Sequence, residues 1–204
     1  MDIDIVGEDP VTQAIIERLI SDYRPDMNIA RRLPARGSEI KNLAPKYNLL
    51  DTPVFLLTDL DAYHCPPALI KDWFPNTELV GNFLFRIAQE EAETWLMADR
   101  EGFSAWLNVD VNLIPHPQII DKKRGSVEII CPLKPSLFMM RNVAAATSNH
   151  SLKEYLTPIA GAKKGPGYNL AMIPFIKNIW DVENAAINSY SLSKAISRLQ
   201  SFQI

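Results

Sequence analysis

The 204-residue sequence predicts an α/β protein, a mainly parallel sheet flanked by helices with a helical carboxyl-terminal region. Two observations carry this expectation. Apolar, strand-like runs alternate with helix-like periodicity through the first half, and such alternation joins parallel strands by helical crossovers. Beyond a proline- and charge-rich stretch over 112–135, the remaining patterns are helical.

Each element has its own warrant. Asp2 to Val6 alternates polar and apolar residues, as an opening strand does. Gly7-Glu8-Asp9-Pro10 breaks that strand, and Val11, Ala14, Ile15 and Leu19 then recur at helical spacing. Asp9 as N-cap and Pro10 at the first helical position start a helix that runs over 11–22. A short strand over 28–33, a helix over 38–47 and an Asp51-Thr52-Pro53 turn lead to the central strand, Val54-Phe55-Leu56-Leu57-Thr58. A proline-opened helix over 66–74, a strand over 82–88 and a helix over 92–107 follow, the last offering Trp95, Leu96, Phe103, Trp106 and Leu107 for packing. Helical patterns return over 136–146, 152–155, 171–180 and 191–202. The expected organisation is a core domain at 1–110 and a mostly helical region at 111–204, packed on that core.

With 47% hydrophobic and 22% charged residues, the composition is that of a soluble chain able to bury a real core. A formal net charge of -3 excludes an overall basic, nucleic-acid-binding composition, so a nucleic-acid ligand requires a local basic surface or a basic partner. Cys65 and Cys131 are far apart and lack metal-site spacing, which points to a reduced cytoplasmic compartment. The first residues are acidic, unlike a signal peptide, and no apolar run approaches the ~20 residues of a membrane helix.

The chemistry lies in the acids. The central strand ends in Asp59-Leu60-Asp61, and a buried strand has no use for two carboxylates in its core. At its carboxyl end they emerge at the sheet edge, where open α/β sheets put their ligands. Glu8 follows the first strand, and Glu90, Glu91 and Glu93 follow a later one. Carboxyl ends of parallel neighbours share one edge, so these acids can converge on Mg²⁺ or Mn²⁺, which prefer hard oxygen donors and bind substrate phosphates. The structural alternative is turn formation and helix capping, with at least one of the three later glutamates complementing a helix dipole.

The order Gly7-Glu8, Asp59-Leu60-Asp61 and a further acid resembles the Toprim domain of topoisomerases, primases and overcoming-lysogenization-defect (OLD) nucleases. Arg86-Ile-Ala-Gln-Glu-Glu-Ala-Glu-Thr-Trp-Leu-Met-Ala-Asp99 resembles a Glu-x-Glu-x-Trp-Leu-x-Ala-Asp block of small Toprim-like bacterial proteins. Gly165-Pro166-Gly167-Tyr168-Asn169, Trp180-Asp181 and Ser191-Leu192 are similar to the same group. The resemblance implies a Toprim-like fold in which Glu8 is a metal ligand or general acid/base. It implies that Asp59 and Asp61 bind metal and that Glu91 and Glu93 form the later acidic motif. One departure stands out: many relatives read Glu-Gly, then Thr-Glu or Thr-Asp, whereas Gly7 here precedes Glu8 and Val11-Thr12-Gln13 follows. The second acid of that motif is missing, which weighs against two-metal chemistry.

The glycine-rich loop Gly161-Ala162-Lys163-Lys164-Gly165 is the other candidate. Lys163 or Lys164 can meet a phosphate and offset transition-state charge, or the loop simply joins two helices. Lys122-Lys123-Arg124 reads as a solvated turn, His64 as a structural loop residue, and the four tryptophans as packing or interface residues. Three functions remain open at this level. The first is a metal-dependent nuclease acting on DNA or RNA, with Glu8, Asp59, Asp61, Glu91, Lys163 and Lys164 in the catalytic set. The resemblance sets it beside an ATPase in bacterial anti-phage defence. The second is a non-catalytic subunit for assembly, nucleic-acid or effector binding, and the third is phosphoryl transfer to a small molecule. A homo-oligomer built on the aromatic-rich helices is compatible with each.

Overall fold

Four strands pair into one parallel sheet in the computed structural model, which describes residues 1–35 and 37–203. They are β1 (Asp2–Gly7), β2 (Asn28–Arg32), β3 (Val54–Asp59) and β4 (Phe83–Ala88), in the order β2-β1-β3-β4. The central strands β1 and β3 are buried along almost their whole length, whereas the edge strand β2 is largely exposed. β3 accordingly reads as a near-continuous apolar run, whereas β1 alternates, with Asp2 at its exposed end and Asp4 buried and paired with Arg31 of β2.

Helices α1 (Pro10–Tyr23), α2 (Glu39–Tyr47) and α3 (Pro66–Trp73) make the crossovers. Asp9 caps α1 as its sequence position requires, accepting from the Thr12 backbone N–H at 2.9 Å. Strand residues alternate between faces. Val6, Val54, Leu56, Phe83, Phe85 and Ile87 share one face and cluster with Ile40 and Ala44 of α2 and Leu69 and Trp73 of α3. Ile3, Ile5, Phe55 and Leu57 are buried on the opposite face, and α1 packs on β1 and β3 with Ile15, Ile16 and Leu19 fully buried. From β1 the chain moves outward to β2, then crosses back to β3 and on to β4. The connections therefore reverse direction between β1 and β3, which makes a topological switch point at their carboxyl ends.

The chain divides into two units: 1–88 together with the residues from Lys194 onward, and 89–193. The second unit contains α4 (Ala92–Ala98), α5 (Arg100–Leu107), an antiparallel hairpin of β5 (Pro117–Asp121) and β6 (Ser126–Ile129), α6 (Pro135–Phe138), α7 (His150–Leu156), α8 (Tyr168–Asn178) and α9 (Val182–Asn188). Every residue of α4 is buried, because α6, α9 and β6 all pack on it. A final helix, α10 (Tyr190–Gln200), carries the chain into the first unit's closing segment. No helix among the described residues is long and apolar enough to cross a membrane.

Three elements differ from the sequence expectation. The helix expected over 92–107 breaks at Asp99, whose backbone leaves helical geometry. Its carboxylate instead accepts from Gly102 N, Asp181 N and Asn184 Nδ2, bonds that outcompete one more turn of α4. The charge-rich stretch over 112–135 contains the β5–β6 hairpin, and Lys122-Lys123-Arg124 is its turn, closed by Gly125 at φ +63°. Helix α9 occupies a stretch without an expected helix, started by Asp181 accepting from Asn184 N at 3.0 Å.

Candidate metal centre

The carboxyl edge of β1 and β3 is built from local constraints. Gly7 closes β1 where a Cβ would lie 2.9 Å from the Gln13 nitrogen, so only glycine lets α1 start this close to the strand. Glu8 follows directly. Its Oε1 accepts from the Thr58 hydroxyl at 2.6 Å and from the Asp59 backbone N–H at 3.4 Å. Glu8 and Asp59 thus meet at the switch point. Burial pushes the Glu8 carboxyl above its ordinary value; the Thr58 and Asp59 donors oppose that, and the charges of Asp61 and Asp9 push the same way as burial.

Asp59 is half-buried at the end of β3, with Ala88 of β4 as its register partner. Leu60 N donates to Ala88 O at 2.9 Å, which carries the ladder one residue past Asp59. Asp61 then turns out into solvent at φ +48°. Left-handed backbone at a residue other than glycine costs on the order of 1–3 kcal/mol and concentrates at functional sites.

In the second unit, the acids begin immediately after β4. Glu90 stands at φ +62°, Glu91 takes the N-cap position of α4, and Glu93 falls in its first turn. Glu90 accepts from Cys131 N at 3.0 Å, and burial raises its carboxyl despite that bond. The Cys131 thiol is pushed up to about 12 by burial, with Glu90 and Glu91 adding to the effect, so it stays protonated and is no nucleophile. Glu91 and Glu93 each carry a lysine. Lys134 lies 2.8 Å from Glu91, which also accepts from Ser136 N at 2.7 Å. Glu93 accepts from the Tyr168 hydroxyl at 2.5 Å, and Lys164 lies 3.8 Å from it and 4.3 Å over the Tyr168 ring.

Asp59 ends β3 in the first unit, and Glu91 and Glu93 stand at the start of α4 in the second. Each offers carboxylate oxygens, which suit a hard divalent cation and not a thiophilic one. Of the other expected ligands, Glu8 bonds Thr58 and the Asp59 backbone, and Asp61 is exposed just past the end of β3. Lys164 is engaged with Glu93, whereas Lys163 is exposed on the loop.

Two residues with roles here carried no sequence signal of their own, Lys134 and Ser136. Thr58 showed only as a polar residue inside an apolar strand, and Tyr168 only as part of the Gly165-to-Asn169 motif, without its bond to Glu93. Lys134 sits in a proline-rich stretch, and nothing in its spacing points to Glu91. Comparison with protein-family models, curated proteins and solved structures finds no match.

Proposed function

We propose that this chain is a cytoplasmic, metal-dependent phosphodiester hydrolase with a Toprim-like acidic site, acting on DNA or RNA. The observation that carries the reading is the meeting of Glu8 and Asp59 at the switch point between β1 and β3, the place where open α/β sheets bind ligands. Asp59, Glu91 and Glu93 are the proposed ligands of Mg²⁺ or Mn²⁺, with Asp61 at the rim. The bound ion supplies Lewis acidity toward a phosphoryl oxygen. Glu8 holds or moves a proton, a role its raised carboxyl supports. Lys163 or Lys164 offsets charge on the phosphate. Work as the effector subunit beside an ATPase, in anti-phage defence, is the setting the Toprim resemblance supplies.

A second reading is a non-catalytic Toprim-like subunit for assembly, nucleic-acid or effector binding. It is favoured by the Lys134–Glu91 and Lys164–Glu93 pairs, which neutralise two of the proposed ligands from within the protein. Plasmid and single-stranded substrates incubated with Mn²⁺, with and without the product of the neighbouring gene, separate the two. Cleavage that disappears in Asp59→Ala with Asp61→Ala supports the first reading, and intact substrates under every condition leave the second.

A further inference from the structure

The β5–β6 ribbon of the second unit carries a basic turn that takes no part in the candidate metal centre. β6 packs on α4 and α9, and β5 is the outer strand, with Gln118, Ile119 and Ile120 exposed. Ile119 is 63% exposed and Ile120 46%, so β5 leaves two adjacent apolar side chains in water. The register shifts between Ile119 and Asp121, a bulge that twists the ribbon ahead of its turn.

The turn itself is Lys122-Lys123-Arg124, the longest run of consecutive cations in a chain of formal net charge -3. Its backbone is fixed. The Asp121 carboxylate accepts from Lys123 N at 2.9 Å and from Arg124 N at 3.3 Å, and Gly125 closes the hairpin in the left-handed conformation at φ +63°. The same carboxylate lies 3.7 Å from the Arg124 guanidinium, an exposed pair that solvent weakens. Three cations against one acid leave a surplus of positive charge, carried by Lys122 and Lys123. Both lysines are exposed, and among the described residues neither is paired with an acid.

This arrangement favours a polyanion. A nucleic-acid duplex carries one phosphate charge per ~1.7 Å of its axis, so a compact cluster of cations meets several phosphates at once. A two-stranded ribbon is also an element that the major groove admits. The pinned turn presents its lysines on a backbone already ordered, which lowers the cost of binding. A bilayer asks for the reverse order, with apolar side chains deepest and lysines held back at the headgroups. Here the cations lead at the end of the ribbon and the isoleucines follow.

We infer that the β5–β6 ribbon is a nucleic-acid-binding arm, with Lys122 and Lys123 on backbone phosphates. The inference rests on the reading of the chain as a protein that acts on DNA or RNA, and it adds a contact site in which no acid of the candidate centre takes part. The phosphates belong either to a duplex or to a single strand.

The test titrates the full chain into short fluorescein-labelled DNA, as a duplex and as a single strand, across a salt series in EDTA. Wild-type protein binds at least one of them, and Lys122→Ser with Lys123→Ser weakens that binding about tenfold at low salt. The log–log salt slope flattens by about 1.8 for the duplex, at ~0.9 for each phosphate no longer neutralised, or by about 1.4 for the single strand, at ~0.7. Both lysines are exposed, so their removal leaves the core in place. Lys122→Arg with Lys123→Arg keeps the wild-type slope, and so does Lys71→Ala, which removes an exposed cation on α3. Tighter binding of the duplex supports the arm and assigns it to a groove; tighter binding of the single strand supports it and assigns it to an unpaired backbone. Binding of neither DNA, or a double serine variant with unchanged affinity and slope, overturns the arm. A variant that loses binding to phosphatidylglycerol vesicles while its DNA binding stays intact overturns it as well. Absent Mn²⁺-dependent cleavage with intact binding in EDTA removes only the metal reading.

Discussion

The acids at the β1–β3 edge and the acids around α4 are held by different chemistry. Glu8 is half-buried against neutral donors, the Thr58 hydroxyl and the Asp59 N–H, and the charges acting on it are the negative ones of Asp61 and Asp9. Glu91 and Glu93 are more deeply buried, yet each has a lysine beside it. A carboxylate taken from water and left with neutral donors favours a proton or an added cation. One already paired with an ammonium group needs neither. The difference teaches that the same residue type, equally conspicuous as an acid in the sequence, is electrostatically unsettled in one region and neutralised in the other.

The largest expected effect falls on the unsettled region. Asp59→Asn keeps the shape of the β3 end and removes a charge from the proposed metal ligands. Loss of several kcal/mol of transition-state stabilisation corresponds to a drop on the order of a thousandfold in Mn²⁺-dependent cleavage. A variant that cleaves at the wild-type rate breaks the comparison at its first term.

Next come the supports of the paired acids. Tyr168→Phe removes the hydroxyl that donates to Glu93 and is expected to cost about 1.5–3 kcal/mol, the range for hydrogen bonds to charged groups. Urea denaturation in EDTA measures it, and an unchanged midpoint shows that Glu93 is held mainly by other interactions. Lys134→Ala is expected to cost less, about 1–2 kcal/mol. Glu91 is buried, but the Lys134 side chain is 60% exposed, which puts the pair between a surface and a buried ion pair. Added Mn²⁺ is expected to recover more stability in Lys134→Ala than in wild type, because a bound cation replaces the missing ammonium. Equal recovery in both proteins argues that the two do not compete for Glu91.

The smallest effect is a pH trend, and Glu128 sharpens it as an acid of the second unit held like Glu8. It is buried and accepts from Ser189 Oγ at 2.8 Å and from Ser191 N, and burial raises its carboxyl above the ordinary 4.5. A raised carboxyl makes the folded state hold its proton more tightly than the unfolded chain does. Its stabilising contribution is therefore full below 4.5 and is lost as pH rises through the higher folded value. Glu128→Gln has no such loss, so the melting temperature of the variant relative to wild type is expected to climb with pH across that window. A flat difference from about pH 4 to about pH 8 removes the claim that burial without a counter-ion controls this group.

Much of the first unit was readable in the sequence. β3 and β4 are mostly apolar runs whose burial shows directly in their composition, β1 shows as an alternation of polar and apolar residues, and Asp9-Pro10 marks a helix start by local chemistry alone. Asp59 and Glu8 were visible for a related reason, since an acid that ends a buried strand is conspicuous against its neighbours. Asp99 was not readable as a break, because the bonds that hold it come from Asp181 and Asn184, far along the chain. The hairpin of β5 and β6 was hidden by its charged turn and by exposed residues such as Ile119, which leave no clean alternation.

The sequence by itself determined which segments alternate between strand and helix, and which acids stand at strand ends, because both follow from local periodicity and from what a core rejects. Only the tertiary structure decided which acids have lysine partners, and that Arg24 at the end of α1 reaches the carbonyls of Leu199 and Phe202. Those outcomes depend on interactions between residues distant in the chain, and no local pattern encodes such pairings.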